Sequence, residues 1–396
     1  MSTLNGIQTF EDLELSQKKV FMRLDLNVPI EDGQIKDELR IQAAIPSIQL
    51  ALEKGAKLVL CSHLGRPKSS EDSQFSLMPV AIRLSEILGI DVNLIDDSES
   101  DALNLLLPQL GEKSIALLEN ARFLAGEKKN DVNLSKQLAK HFDVFINDAF
   151  GASHRAHATV VGVPNYVSTK AVGLLMEKEL RMLDKMVHSP ERPFTAIVGG
   201  SKVSDKIGLL ENLLDKVDNF IIGGAMAYTF LAAEGFSIGS SRIESDKISL
   251  AKDLMDRIKV RDKKILLPVD HIVVEKLEEN ATYQATQNEI ISEGWMAVDI
   301  GPKTIIKFSE LIKTSKTIFW NGPMGVYEME AFAKGSISIG KAIASSESFS
   351  IIGGGDSAAV VRSANLADSF SHISTGGGAS LEFLQGEPLP GIEVLR

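Results

Sequence analysis

Two α/β domains, each built on a doubly wound, Rossmann-like parallel sheet and joined by a hinge helix, are the architecture this sequence predicts. Three observations point there. Short β-branched or apolar runs alternate with longer amphipathic runs along the chain, which is the sequence form of repeated βα units. A run from Leu174 to Val187 has helical spacing and is followed by His188-Ser-Pro-Glu-Arg-Pro193, whose two prolines break it. The residues just after the predicted strands also differ in kind between the two halves. At roughly 150 residues per domain, a chain of 396 residues has room for two or three.

In the first half, strands are expected at Lys19–Leu24, Lys57–Ser62, Asp91–Ile95, Ser114–Leu118 and Asp143–Asn147. In the second they are expected at Thr195–Val198, Asn219–Ile222, Lys264–Leu267, Thr317–Trp320, Phe349–Ile352 and His372–Ser374. Between the sets, Met176, Leu180, Leu183 and Val187 share one helical face. The expected divisions are therefore a domain over 1–173, an interdomain helix over 174–188 and a second domain from 189 to 378.

Charge narrows the partners. With 53 Asp and Glu against 42 Lys and Arg, the net charge is −11, which disfavours a nucleic-acid backbone or an anionic membrane as partner. No run reaches the roughly 18 to 20 apolar residues that span a bilayer, and the start lacks a basic segment leading into an apolar one. The chain reads as cytosolic and, from its acidic balance, as a monomer. A lone cysteine, Cys61, excludes an intrachain disulfide and a thiolate metal cage; burial is its expected fate.

Ligands of open α/β sheets sit outside the carboxyl ends of the strands, so those positions carry the chemistry. In the first half they hold Asp25 and Asn27, His63 and Arg66, Glu119, Asn120 and Arg122, then Asp148, with His154 and Arg155 a little later. Six arginines precede residue 176: Arg23, Arg40, Arg66, Arg83, Arg122 and Arg155. Four of them, Arg40, Arg66, Arg122 and Arg155, fall at strand ends or helix starts, whereas Arg83 reads as a helix-surface residue. Such a rim selects a small, multiply anionic ligand, because guanidinium forks match carboxylate and phosphate. His154 and His157 have a metal-pair spacing, but no third ligand is evident and Arg155 opposes a cation.

In the second half the strands are followed by glycine: Gly199-Gly200, Gly223-Gly224, Asn321-Gly322, Gly353-Gly-Gly355 and Gly376-Gly-Gly378. Glycine at a strand-to-helix turn lets phosphates approach backbone N–H groups. Lys202 and Lys206 are four apart, which predicts one face of a helix beginning there. Gly353-Gly-Gly-Asp-Ser-Ala358 formally fits a dinucleotide fingerprint, yet Asp356 would repel a bare pyrophosphate and suits a nucleotide arriving with Mg²⁺. Gly335-Ser-Ile-Ser-Ile-Gly-Lys-Ala342 has P-loop spacing without the final hydroxyl or a preceding strand, and is read as an ordinary helix. With no nucleophile elbow, the layout favours direct transfer between two bound ligands.

Several ordered segments together resemble the phosphoglycerate kinase family. In the first half they are Arg23-Leu-Asp-Leu-Asn-Val-Pro29, Ser62-His-Leu-Gly-Arg-Pro67, Glu119-Asn-Ala-Arg-Phe123 and Asn147-Asp-Ala-Phe-Gly-Ala-Ser-His-Arg-Ala-His157. In the second they are Gly199-Gly-Ser-Lys-Val-Ser-Asp-Lys206, Trp320-Asn-Gly-Pro-Met-Gly-Val-Tyr-Glu328, Gly353-Gly-Gly-Asp-Ser357 and Ser374-Thr-Gly-Gly-Gly-Ala-Ser380. The departures are small: Ser357 stands where many members carry Thr, and Ser201 where many carry Ala.

The resemblance implies that the first domain binds 3-phosphoglycerate or its 1,3-bisphosphate through Asp25, Asn27, Arg40, His63, Arg66, Arg122 and Arg155. It implies a nucleotide site with Lys206 and the Gly354, Gly355 and Ser357 loop at the phosphates, Glu328 at the ribose, Gly223, Gly224 and Pro323 at the adenine, and Asp356 at Mg²⁺. It also implies that a last segment, 379–396, returns to the first domain. The expected reaction is reversible, Mg²⁺-dependent transfer between 1,3-bisphosphoglycerate and ADP, giving 3-phosphoglycerate and ATP. Arg40, Lys202 and the N–H groups of Gly376 and Gly377 are assigned to the transferring phosphoryl group. A dinucleotide-dependent dehydrogenase and a two-domain anion-binding protein are the competing readings. The first lacks a ribose-binding acid at the expected distance, and the second needs no lysine pair.

Overall fold

Strand Lys19–Leu24 (KVFMRL) is buried from its second residue onward, as a strand covered on both faces must be, and it lies inside a seven-stranded sheet. The sheet order is Gln8–Thr9, Thr169–Val172, Val144–Asp148, Lys19–Leu24, Lys57–Cys61, Ser114–Leu118 and Asp91–Ile95. Every pairing in it is parallel. A second, six-stranded parallel sheet runs Lys264–Leu266, Asn219–Ile222, Phe194–Val198, Thr317–Asn321, Phe349–Gly353 and His372–Ile373. The predicted strands all form, within a residue or two at their ends.

The computed structural model describes residues 3–96, 102–111 and 114–396. It separates into two compact units, Met1–Arg181 with Pro388–Arg396, and Met182–Glu387. The division falls inside helix Leu174–His188. In the first unit, Ser47 Oγ accepts the Leu174 N–H at 3.0 Å and Asp148 Oδ1 accepts that of Met176 at 2.9 Å, which satisfies donors that a helix start leaves without intrahelical partners. Helix Gly378–Leu384 belongs to the second unit, so the part of the chain's end that joins the first is Pro388–Arg396, shorter than 379–396. Asn147 Nδ2 donates to Gly391 O at 2.8 Å and Lys170 Nζ to Val394 O at 2.7 Å, pinning that end.

Each unit has its own core. Val20, Met22, Leu58, Leu60, Ile48 and Leu84 are fully buried in the first, and Ile197, Phe308, Ile318, Trp320 and Ile339 in the second. At roughly 1.5–3 kcal/mol per buried large side chain, these clusters hold the strand ends rigidly enough to aim the residues that follow. Helix Lys334–Ala344 confirms the reading of the P-loop-like stretch, and its Gly335 is buried against Asp299.

Three short features lie outside the predicted pattern. They are the outer strands Gln8–Thr9 and Thr169–Val172, the hairpin Ile30–Glu31 with Gln34–Ile35, and a three-stranded antiparallel sheet of Tyr283–Ala285, His271–Val274 and Met296–Ile300. No described helix is long and apolar enough to cross a membrane.

Candidate active site

Four neighbouring strands of the first sheet, Val144–Asp148, Lys19–Leu24, Lys57–Cys61 and Ser114–Leu118, deliver the cationic residues from their carboxyl ends. Arg40, in the first turn of helix Leu39–Glu53, places Nη1 3.3 Å from Asp25 Oδ1 and 2.7 Å from Asn27 O. Asn27 Oδ1 accepts the Gly65 N–H at 2.8 Å, tying the loop after one strand to the loop that carries His63 and Arg66. Gly65 O in turn accepts Arg122 Nη1. Asn120 fixes the same corner through Leu64: its Oδ1 accepts the Leu64 N–H at 3.1 Å and its Nδ2 donates to Leu64 O at 2.7 Å.

The electrostatics of this bowl call for an anion. Burial, followed by the fields of Arg155, Arg23 and Arg66, pulls Arg122 down to about 10, and its Nε is buried without an acceptor among the described residues. Burial and the cations Arg23, Arg122 and Arg40 drive His63 well below the ordinary imidazole range. His157 is lowered to about 4 by burial and by Arg23, Arg122 and Arg155. Arg66 is exposed with no ion pair or hydrogen bond among the described residues. Arg155 Nε donates to His154 Nε2 at 3.1 Å, so that histidine serves as an acceptor for an arginine.

Sequence reasoning did not place Arg23 in this site, although it is central to it. The side chain is 1% exposed inside its strand, with Nε 2.9 Å from Thr159 Oγ1 and Nη2 3.3 Å from His63 Nδ1. An arginine within an apolar run has no local signature; only the partners reached across the sheet reveal it. Arg83 instead pairs with Glu38 and Glu86 at the surface, as its position predicted. Cys61 is buried, and that burial pushes its thiol up to about 12.

In the second unit, glycine loops after adjacent strands cross at very short range. Gly200 N donates to Pro323 O at 3.1 Å, Gly224 N to Met324 O at 3.1 Å and Met226 N to Gly200 O at 3.0 Å. A Cβ on Gly224, whose φ is +66°, would lie 2.5 Å from Gly200 N, so the crossing demands glycine there. Beside the crossing is a cavity of about 450 Å³ whose lining includes Gly200, Ser201, Gly224, Pro323, Glu328 and Asp356, with Tyr228, Arg242, Leu277, Met296 and Tyr327. Its apolar wall with a few polar groups suits one organic ligand carrying a charged end. The last five were not read from the sequence, because their place depends on the small antiparallel sheet and its loops.

The glycine and serine positions divide in role. Gly354, at φ +86°, starts helix Gly355–Ser363, and a Cβ on Gly355 would meet nothing within 4 Å. Gly223 packs against Met324 rather than lining the cavity. Ser357 is buried with Oγ accepting the Gly322 N–H at 2.6 Å, so its hydroxyl ties two loops together. Gly376 N donates to Ser374 Oγ at 3.1 Å and is thus engaged within its own loop, whereas Gly377 N makes no hydrogen bond among the described residues.

One expectation is overturned. Lys202 and Lys206 do not share a helix face: the helix is Ile207–Leu213 and Lys206 is its cap residue, so Lys202 lies in the preceding turn segment. The intervening residues form turns instead: Lys206 N donates to Val203 O at 2.9 Å, and Glu244 accepts both the N–H and the hydroxyl of Ser204 at 3.0 and 2.6 Å. Lys206 Nζ donates to Asn321 Oδ1, and burial lowers its pKa, opposed by Asp205 and Asp356. Lys202 is exposed and makes no ion pair or hydrogen bond among the described residues.

Two parallel-sheet units, one with a cluster of guanidinium groups at its strand ends and the other with a glycine-crossed cavity beside a lysine and an aspartate, define a two-unit α/β protein of anion-binding and organic-ligand-binding type. A family model described as Phosphoglycerate kinase matches residues 10–387. The Phosphoglycerate kinase of Bdellovibrio bacteriovorus is 52% identical over 393 residues, 99% of this chain and 98% of that one. The Phosphoglycerate kinase of Clostridium botulinum strain 657 is 49% identical over 391 residues, 98% of each. Among solved structures, phosphoglycerate kinase from Coxiella burnetii has a TM-score of 0.89 at 41% identity, and that from Pyrococcus horikoshii 0.86 at 34%, each covering 98% of both chains. The chain belongs to the phosphoglycerate kinase family.

Proposed function

We propose that the protein transfers a phosphoryl group reversibly between the acyl phosphate of 1,3-bisphosphoglycerate and ADP, giving 3-phosphoglycerate and ATP. The observation that carries this reading is the crowding of Arg23, Arg66 and Arg155 about Arg122, and of Arg23, Arg40 and Arg122 about His63, which a small polyanion relieves. Asp25, Asn27 and Arg40 complete the acid site in this reading. Glu328 and Lys206, with the Gly224, Pro323 and Gly354–Gly355 backbone, serve the nucleotide.

The attacking oxygen is anionic in either direction, a β-phosphate oxygen of ADP or a carboxylate, so no general base is needed. Catalysis reduces to positioning and charge stabilisation. Arg40 and Lys202 supply cations to the transferring group, and Gly377 supplies the backbone donor that its loop leaves unengaged. Gly376 contributes only if its N–H exchanges Ser374 for the ligand.

Magnesium fits the donor set. Asp356, in the first turn of helix Gly355–Ser363, lines the cavity, and Tyr327 Oη donates to its Oδ1 at 3.2 Å while Oδ2 accepts no described bond. One carboxylate together with substrate phosphates is a usual Mg²⁺ environment. When bound, the ion neutralises phosphate charge; Asp356 would hold it.

Because acid and nucleotide residues belong to different units, transfer requires those units to bring the ligands together, with helix Leu174–His188 as the hinge in this reading. Closure would also exclude water that hydrolyses an acyl phosphate. The setting is glycolysis and gluconeogenesis, as a cytosolic monomer. A coupled spectrophotometric assay with ATP and 3-phosphoglycerate tests the function. Turnover with Mg²⁺ and its loss on chelation are expected; no turnover with Mg²⁺ contradicts the proposal.

A further inference from the structure

Beneath the anion bowl lies a continuous buried relay whose bond directions chemistry fixes. Glu127, Thr159, Arg23 and His63 are 0%, 0%, 1% and 7% exposed. Thr159 sits in a π-helical turn, Ala158–Gly162, a distortion that presents both its backbone N–H and its hydroxyl to one carboxylate. The N–H donates to Glu127 Oε2 at 2.9 Å and the hydroxyl lies 2.7 Å from Glu127 Oε1. Arg23 Nε lies 2.9 Å from the same hydroxyl. A guanidinium only donates, so Thr159 Oγ1 accepts from Arg23, and against an ionised Glu127 its own proton points to Oε1. Both oxygens of Glu127 then accept, which is the arrangement an ionised carboxylate provides. At the other end, Arg23 Nη2 donates to His63 Nδ1 at 3.3 Å. That nitrogen carries no proton, and the ring's single proton is on Nε2.

We propose that Glu127 and Thr159 are positioning residues that act through Arg23 to hold His63 as its Nε2–H tautomer, a neutral hydrogen-bond donor in the anion-binding bowl. The inference rests on the reading of His63 as an acid-site residue and adds what sets its protonation. An unrestrained imidazole amid cations could present either nitrogen, and the wrong tautomer would offer a lone pair to an anionic ligand. Glu127 supplies the counter-charge one hydroxyl away, so a buried guanidinium can be kept aimed at the ring.

The groups facing His63 are Arg23, Arg122, Arg40 and His157, none of which favours an imidazolium. Those facing Glu127 are Arg23, Arg122 and His157, whose Nδ1 is 3.7 Å from Oε1, and the Cys61 thiol. Burial raises Glu127, and Arg23 and Thr159 oppose that rise.

The test is the ring ¹⁵N spectrum of His63 in the ligand-free protein, with the Thr159→Val and Thr159→Ser variants. The unmodified protein should show Nε2–H with Nδ1 unprotonated across the neutral range. Thr159→Val removes the acceptor of Arg23 Nε and leaves Leu24 O, which accepts from Nη1, to hold the guanidinium alone on that side. It should shift His63 toward Nδ1–H or toward protonation at higher pH, and raise KM for 3-phosphoglycerate about tenfold with KM for ATP within about twofold. Thr159→Ser keeps the hydroxyl and should restore both. An Nδ1–H ring in the unmodified protein overturns the relay without relying on any variant, as does a Thr159→Val spectrum and KM identical to wild type. A tautomer that shifts while KM for the acid stays fixed would uphold the relay and refute the assignment of His63 to the acid site.

Discussion

Arg40 Nη1 lies 3.3 Å from Asp25 Oδ1 and 2.7 Å from the Asn27 carbonyl oxygen, so two groups of one loop aim a cation that belongs to the next helix. Such a preorganised donor contributes most where charge is in transit. Arg40→Ala should lower kcat by about 10²–10³ while KM for ATP changes by less than about threefold. Steady-state kinetics in both substrates measure the split; an unchanged kcat contradicts the role given to Arg40.

Gly224 allows two loops to cross at a distance no side chain permits. Gly224→Ala places a Cβ 2.5 Å from Gly200 N and 2.6 Å from Gly200 O at a φ of +66°, and the obstructing atoms are backbone. The crossing must open, at a cost of about 1–3 kcal/mol, and the cavity it borders changes shape. ADP affinity measured calorimetrically should fall at least tenfold, with 3-phosphoglycerate affinity within twofold of wild type. Equal losses for both ligands would show general unfolding instead.

Asp148 makes stability depend on pH. Full burial raises it from 3.8 to about 6, against the opposing bonds from Ser47 and Met176, and its Oδ2 has no partner among the described residues. An acid raised on folding gives its full contribution below the unfolded pKa and loses it as pH climbs through the folded one. The advantage of wild type over Asp148→Asn should therefore shrink between pH 3.8 and about 6 and stay level above that. The change is on the order of 1–3 kcal/mol. Urea midpoints of both proteins across that range measure it; a difference that does not vary with pH contradicts the assignment.

Removing the Lys206 ammonium tests the nucleotide side. Its Nζ is held by Asn321 within reach of the Asp356 field, so Lys206→Met should raise KM for ATP by tenfold or more and leave 3-phosphoglycerate binding unaffected. Loss confined to the acid substrate would reverse the assignment of the two units.

The parallel sheets were legible because strands buried on both faces must be nearly continuous apolar runs, and the turns after them carry the chemistry. Asp25, His63, Arg122 and Gly224 could thus be placed just beyond strand ends from position alone. Arg23 could not, since its signal is a hydroxyl supplied 136 residues away, and neither could Tyr228 or Arg242. Tyr228 meets the small antiparallel sheet through His271, and the strands of that sheet, such as Tyr283–Ala285, are set by pairing with distant segments rather than by their own pattern. Lys202 was misplaced for a related reason: helical spacing is local, whereas the contacts of Ser204 with Glu244, within the turns that precede Ile207, are tertiary.

A crystal structure with 3-phosphoglycerate and magnesium ADP bound tests the account most directly. The acid should lie among Arg40, Arg66, Arg122 and Arg155, and the nucleotide in the cavity beside Gly224 and Glu328 with its phosphates toward Lys206 and Asp356. Both ligands bound within a single unit, or an acid without any guanidinium contact, would contradict it.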